Sequence, residues 1–211
     1  MGPEPPEVLS PTAATQLDVP SLRTNIVCAV GAAADPPYTS EIAVRSLYLV
    51  RHAVARERDG WQKPDQLRPL NQAGWRQAVV LADLLADAGI DRHWSSPATR
   101  CRDTLQPLAH ATGLDVEDDA RLFEGALGSD PSAAGAALRN LMKAYFGEGT
   151  RRVAACSHGD LLPPLLEAAG ASISRCPKGG VWRLDLPDDK DRVSQAVYLG
   201  RPDPGGGWDQ R

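Results

Sequence analysis

Residues 47–53 read LYLVRHA. Leu47, Tyr48, Leu49 and Val50 form an unbroken apolar run, which suits a strand covered on both faces rather than one with a wet side. Arg51 and His52 follow directly, with no turn residue between them and the strand. Packing alone gives no reason to set a cation and an imidazole at the mouth of the most apolar strand. What surrounds the stretch has to supply one.

Outward from it, strand-like and helix-like segments alternate. In NQAGWRQAVVLADLLADAG (71–89), Ala78, Leu81, Ala82 and Leu85 give the stripe of an amphipathic helix, and Gly89 suits its end. IDRHWSS (90–96) reads as a short strand. SPATRCRDTLQPLAHATG (96–113) reads as a helix with Ser96 as N-cap and Pro97 in its first turn. A short strand in LDVEDD, a helix over about 132–146, a strand in RRVAACSH, a helix in GDLLPPLLEAAG and closing strands in GVWRLDL and SQAVYLG complete the series. The pattern predicts an α/β fold, a three-layer αβα sandwich whose mostly parallel central sheet has helices on both faces. Residues 1–44 hold seven of the eighteen prolines, show no period, and read as a disordered N-terminal extension. The domain is expected over 45–201, with 202–211 as a flexible C-terminal tail.

The composition narrows the functions. Lys and Arg number 23 against 27 Asp and Glu, so a chain-wide basic footprint for nucleic acid is absent and any anion site must be local. Four cysteines without a CxxC pair suggest reduced thiols. No apolar run reaches the roughly 18 residues of a membrane span. SLRTNIVCAVGAAA (21–34) has the flavour of an export signal but lies behind an acidic, Pro-rich start, so a cytoplasmic location is expected. Neither a membrane nor a nucleic acid is expected as a partner.

In wound α/β sheets, ligands sit beyond the carboxyl ends of strands. Arg51 and His52 occupy one such end, His158 in VAACSHGD another, and Arg100 falls in the first turn after the strand ending near Ser95. Two guanidiniums, two imidazoles and helix N-termini at one sheet edge suit a phosphate pocket containing a nucleophile. Each piece alone is weak: a histidine after an apolar strand is more often a structural residue, and SPATR could simply start a helix. Their joint order carries the reading.

Together, LYLVRHA, LRPLNQAG, SSPATRCRDTL, RLFEG and ACSHGD resemble the histidine phosphatase superfamily, also called phosphoglycerate-mutase-like, over about residues 46–200. The RPL…G segment is most similar to its small SixA-like phosphohistidine phosphatase branch. The family's usual RHG reads RHA here, with Ala53 in the third place. The resemblance implies that His52 attacks phosphorus and that water releases phosphate from the resulting phosphohistidine. Arg51, Arg100 and His158 would hold the phosphoryl oxygens, with no metal or other cofactor. The arginines would also push the pKa of His52 down and keep it neutral. Glu124 in RLFEG stands where many members carry a proton-donating Glu, and Asp160 is the reserve candidate, with helix capping as its other reading. The loop 54–69 holds Arg56 and Arg68, which are candidates for phosphate or substrate binding; the rest of it reads equally well as a solvated loop.

The expected activity is hydrolysis of a phosphorylated small molecule or a phosphohistidine protein. A phosphoglycerate-type or phosphosugar mutase, a nucleotide-directed phosphatase and a catalytically silent phosphate-binding module are the alternatives. No Cys has an Arg six positions on, and GxxxxGK[ST], HExxH and GxSxG are absent, so other phosphatase and hydrolase signatures are missing. Only 47 positions run from Arg100 to Gly147, too few for the cap a mutase uses. Cys156 could pair with His158 on a metal but reads better as core.

Overall fold

The computed structural model describes residues 44–128, 130–147, 149–188, 192–203 and 207–210. The expected extension therefore falls almost entirely on residues outside those described, and Val44 already opens the first strand.

The strands are β1 (Val44–Arg51), β2 (Arg92–Ser95), β3 (Val116–Asp118), β4 (Arg152–Ser157), β5 (Val181–Pro187), β6 (Gln195–Pro202) and β7 (Trp208–Asp209). The helices are α1 (Gln72–Leu85), α2 (Thr99–Thr112), α3 (Ala134–Tyr145) and α4 (Leu162–Ala168). One sheet runs β3-β2-β4-β1-β5-β6-β7. Its first four strands are parallel, and β5, β6 and β7 extend it antiparallel.

The unbroken apolar run of β1 has the reason expected of it. Leu47 and Leu49 pack on one face with Leu138 and Leu141 of α3 and Leu162 and Leu165 of α4. Tyr48 and Val50 pack on the other with Leu81 and Leu85 of α1 and Leu105 and Leu108 of α2. Both faces are covered, so no polar alternation survives. The stripe predicted for α1 is buried throughout, and Cys156 lies in the core as expected.

Two features position the site. β1 continues into α1 on one face of the sheet, whereas its parallel neighbour β4 continues into α4 on the other. A crevice opens between adjacent strands whose connections leave on opposite sides, and their carboxyl ends point into it. The pairing sets Arg51 against Ser157, and His52 N–H extends the ladder to the Ser157 carbonyl at 3.0 Å. Gly74 then lets the start of α1 press on the loop after β1: a Cβ there would lie 2.0 Å from the Val54 carbonyl oxygen. Asn71 caps the helix by accepting from Gly74 N–H at 2.8 Å.

Two expectations change. The tail proposed for 202–211 is partly in the sheet: Pro202 ends β6, β7 pairs with it, and Trp208 donates its indole N–H to the Leu199 carbonyl at 2.7 Å. A two-residue strand stitched by one aromatic has no periodicity to read. Ser96 is not the N-cap of α2 either; that is Ala98, without a side-chain hydrogen bond of its own, while the Ser96 hydroxyl accepts from Ala98 N–H at 3.4 Å and lies closer to His158, at 2.7 Å.

Candidate active site

His52 sits one residue past β1 and is 7 % exposed. Its Nδ1 lies 2.8 Å from the Ala53 carbonyl oxygen. A carbonyl can only accept, so Nδ1 carries the hydrogen and the Nε2 lone pair is left available. Burial above all, then Arg100, His158 and Arg51, pulls the pKa of His52 down to about 3, against the opposing pull of the Ala53 hydrogen bond. The sequence pointed to the arginines as the cause; burial is the larger one.

His158 lies against His52, ring centroids 5.5 Å apart and edge-on. Arg100 approaches its Nδ1 through Nη2 at 3.2 Å, and the Ser96 hydroxyl lies 2.7 Å from its Nε2. A guanidinium only donates, so Nδ1 accepts and Nε2 donates to Ser96. The serine fixes the ring of His158.

Arg100, in the first turn of α2, is 1 % exposed. Its Nη1 donates to the Asp65 carbonyl oxygen at 2.9 Å and pairs with the Asp65 carboxylate at 3.1 Å. Its Nη2 pairs with Glu124 at 2.7 Å. With His158 as well, both terminal nitrogens are engaged, and the buried Nε–H has no partner. Arg51 is anchored by a hydrogen bond from Nη1 to the Cys176 carbonyl, and its Nε–H is also buried and unpartnered. The Arg51 guanidinium lies against Gly159, where a Cβ would come within 2.6 Å of its central carbon. Two arginines with unmet donors, lining the same cleft as an imidazole with a free lone pair, fit a tetrahedral oxyanion.

Arg51, His52, Arg56, Arg68, Arg100, Glu124, His158 and Asp160 all line one cleft of about 340 Å³. Every residue singled out in the sequence is therefore brought together, though not each in the posture expected. Arg68 spends its donors on Asp65, at 2.8 and 3.4 Å, and on the Arg56 carbonyl at 2.6 Å. Asp160 is not a cap of α4; it accepts from Gly125 N–H at 2.7 Å and so holds the turn carrying Glu124. Sequence reasoning missed Asp65, Ser96 and Lys178. Asp65 also meets Arg58 at 3.3 Å, and the hydrogen bond from Arg68 comes first in holding its carboxyl below the usual range. Its spacing of three from Arg68 was the available signal; Lys178 offered none.

Known proteins resemble this chain in sequence and fold. Residues 47–145 match one family model, and it describes the histidine phosphatase superfamily, branch 1. An 8-oxo-(d)GTP phosphatase of Mycolicibacterium smegmatis is 28 % identical over 168 residues, 77 % of this chain and 50 % of that protein. This chain thus spans about half the length of that curated relative. A mycobacterial glucosyl-3-phosphoglycerate phosphatase superposes with a TM-score of 0.55 at 20 % identity, covering 74 % of this chain and 97 % of that one. A protein histidine phosphatase SixA complexed with tungstate does so with a TM-score of 0.55 at 20 % identity, covering 76 % and 97 %. At that identity the likeness is one of fold. Among the described residues no helix is long and apolar enough to cross a membrane.

Proposed function

We propose that the protein hydrolyses a phosphomonoester or phosphohistidine through a covalent phosphohistidine on His52. The observation that carries this reading is the His52 ring, anchored through Nδ1–H so that Nε2 keeps its lone pair, in the same cleft as Arg51 and Arg100, each with an unmet donor. With its pKa near 3, His52 keeps its lone pair at neutral pH. Nε2 attacks phosphorus, the bond from phosphorus to the leaving oxygen or nitrogen breaks, and the leaving group takes a proton. Arg51 and Arg100 stabilise the phosphoryl charge, so the reaction needs no metal. Glu124, once released from Arg100 and protonated from solvent, passes that proton to the leaving group, and Asp160 keeps its turn in place. Water then attacks the phosphohistidine, releasing phosphate and regenerating His52.

Arg100 has only Nε–H to spare while Glu124 is paired with it. A phosphoryl group that takes the fork of Arg100 therefore displaces the Glu124 carboxylate, which is half-exposed and free to move toward the leaving group. The open cleft and the absence of a cap between α2 and α3 among the described residues favour hydrolysis over mutase chemistry. The Mycolicibacterium relative favours a nucleotide-directed phosphatase as the second reading.

The test uses a generic aryl phosphate in EDTA, with free phosphate as the readout. Release by wild type and its loss in His52→Ala supports the proposal, as does acid-labile labelled phosphate trapped on His52. Undiminished release by His52→Ala would overturn it.

A further inference from the structure

The cleft is lined by six cations against three carboxylates, in a chain with a net charge of −4. Most of these cations are already spent. Arg68 is held by Asp65, Arg58 by Asp65 and Glu124, Arg100 by Asp65 and Glu124, and Arg51 reaches the Cys176 carbonyl. Arg56 and Lys178 remain, exposed, with no hydrogen-bond or ion-pair partner for either side chain among the described residues.

Their backbones are not loose. Arg56 N–H donates to the Pro69 carbonyl at 2.9 Å, and its own carbonyl accepts from Arg68. Gly179, next to Lys178, donates its N–H to the carbonyls of Arg51 and His52 at 3.1 and 3.2 Å. The backbones that carry the two free cations are thus held at the cleft, Arg56 shortly after the nucleophile in the chain and Lys178 next to a glycine bonded back to it. The carboxylates of the cleft do not neutralise them: Glu124 faces Arg100 and Arg58, Asp160 takes Gly125 N–H, and Glu57 makes no ion pair with either.

We infer that Arg56 and Lys178 form a second anion subsite, and that the substrate is a small molecule carrying a further phosphoryl group beyond the one transferred. The inference rests on the phosphatase reading above and narrows its substrate. Two cations match a second phosphoryl group, which bears up to two charges, better than they match a single carboxylate, and a cleft of about 340 Å³ admits a small ligand. A phosphohistidine on a protein surface would leave both cations unused.

Binding separates the possibilities without turnover. Methylphosphonate and methylenediphosphonate, neither of which can be hydrolysed at a P–O–P or ester bond, are titrated calorimetrically into wild type and Arg56→Gln/Lys178→Gln. The diphosphonate should bind wild type about tenfold more tightly than the monophosphonate, from two exposed ion pairs. In the double variant that ratio should fall to about threefold or less, with each single variant between. Equal affinities in wild type, or a ratio unchanged in the double variant, would overturn the subsite while leaving the phosphatase reading intact. Failure of both phosphonates to bind wild type would overturn the phosphate pocket and the subsite with it.

Discussion

At the floor of the cleft, His52 and His158 are placed by backbone: parallel strands end beside each other in a fixed register, and one more ladder bond carries His52 past the last strand residue. At the rim, Glu124 and the segment around Asp65 are placed by side chains, through ion pairs to Arg100, Arg58 and Arg68. The floor is built on elements buried on both faces, the rim on turns and exposed charges. Arg100 belongs to both, since its backbone lies in α2 and its guanidinium holds the rim. In the proposed mechanism, the chemistry that tolerates little misplacement sits on the floor and the groups that move sit on the rim.

Breaking the link between the two should have the largest effect. Arg100→Lys keeps a charge but loses the fork that meets Asp65 and Glu124 and that, in the proposed mechanism, takes the phosphoryl oxygens. Turnover of an aryl phosphate should fall on the order of 10²- to 10³-fold. A melting curve taken alongside shows whether the fold survives; a loss under threefold in a folded variant would remove Arg100 from the reaction.

A smaller and more local break lies at Gly159. The Cβ of Gly159→Ala would meet the Arg51 guanidinium and push it from its place. The expected result is a fall in kcat/KM of roughly 10- to 100-fold, as for other small displacements of a positioning group. Wild-type kinetics in this variant would mean that Arg51 can shift without consequence.

The contrast between floor and rim also explains what could be read from the sequence. The floor was legible because local pattern specifies it: an apolar run that needs two covered faces, a charged pair directly after it, and a second histidine closing another such strand. The helix stripe of Ala78, Leu81, Ala82 and Leu85 was legible for the same reason. Ser96 was misread because a hydroxyl before a helix looks the same whether it caps the backbone or turns toward His158 across 62 residues of chain. Asp65 is tied to the site by Arg100, far along the chain, with only its spacing from Arg68 to mark it, and the side chain of Lys178 has no partner among the described residues. The C-terminal strand was missed because its pairing is two residues long.

Acid should break the floor before the rim. His52 binds a proton in the unfolded chain below its ordinary value of 6.5 but in the folded protein only near pH 3. Between those values the unfolded state holds the extra proton, so stability is full above pH 6.5 and is lost as pH falls toward 3. His93, fully buried in β2, shifts in the same direction because of burial and adds to the loss. His52 alone should cost about 2 kcal/mol between pH 7 and pH 5. Urea midpoints at the two pH values, for wild type and His52→Gln, measure it. The variant should lose less on acidification, and equal losses would mean that His52 is not buried neutral.

The smallest expected effect bears on how the rim works. Glu124 holds one arm of the Arg100 fork, so an anion entering the pocket competes with a carboxylate for the same N–H groups. In Glu124→Gln the amide still accepts a hydrogen bond from Arg100, but without charge, and charge-assisted bonds are about twice as strong as neutral ones. Tungstate should therefore bind the variant about three- to tenfold more tightly than wild type. Turnover should fall at the same time, because the displaced amide has no acidic proton for the leaving group. Only a group that both competes for the phosphoryl site and serves the reaction after leaving it moves affinity and rate in opposite directions. A purely structural Glu124 would weaken both. One that never occupied the anion's place would leave tungstate binding unchanged, and the displacement step would have to be abandoned.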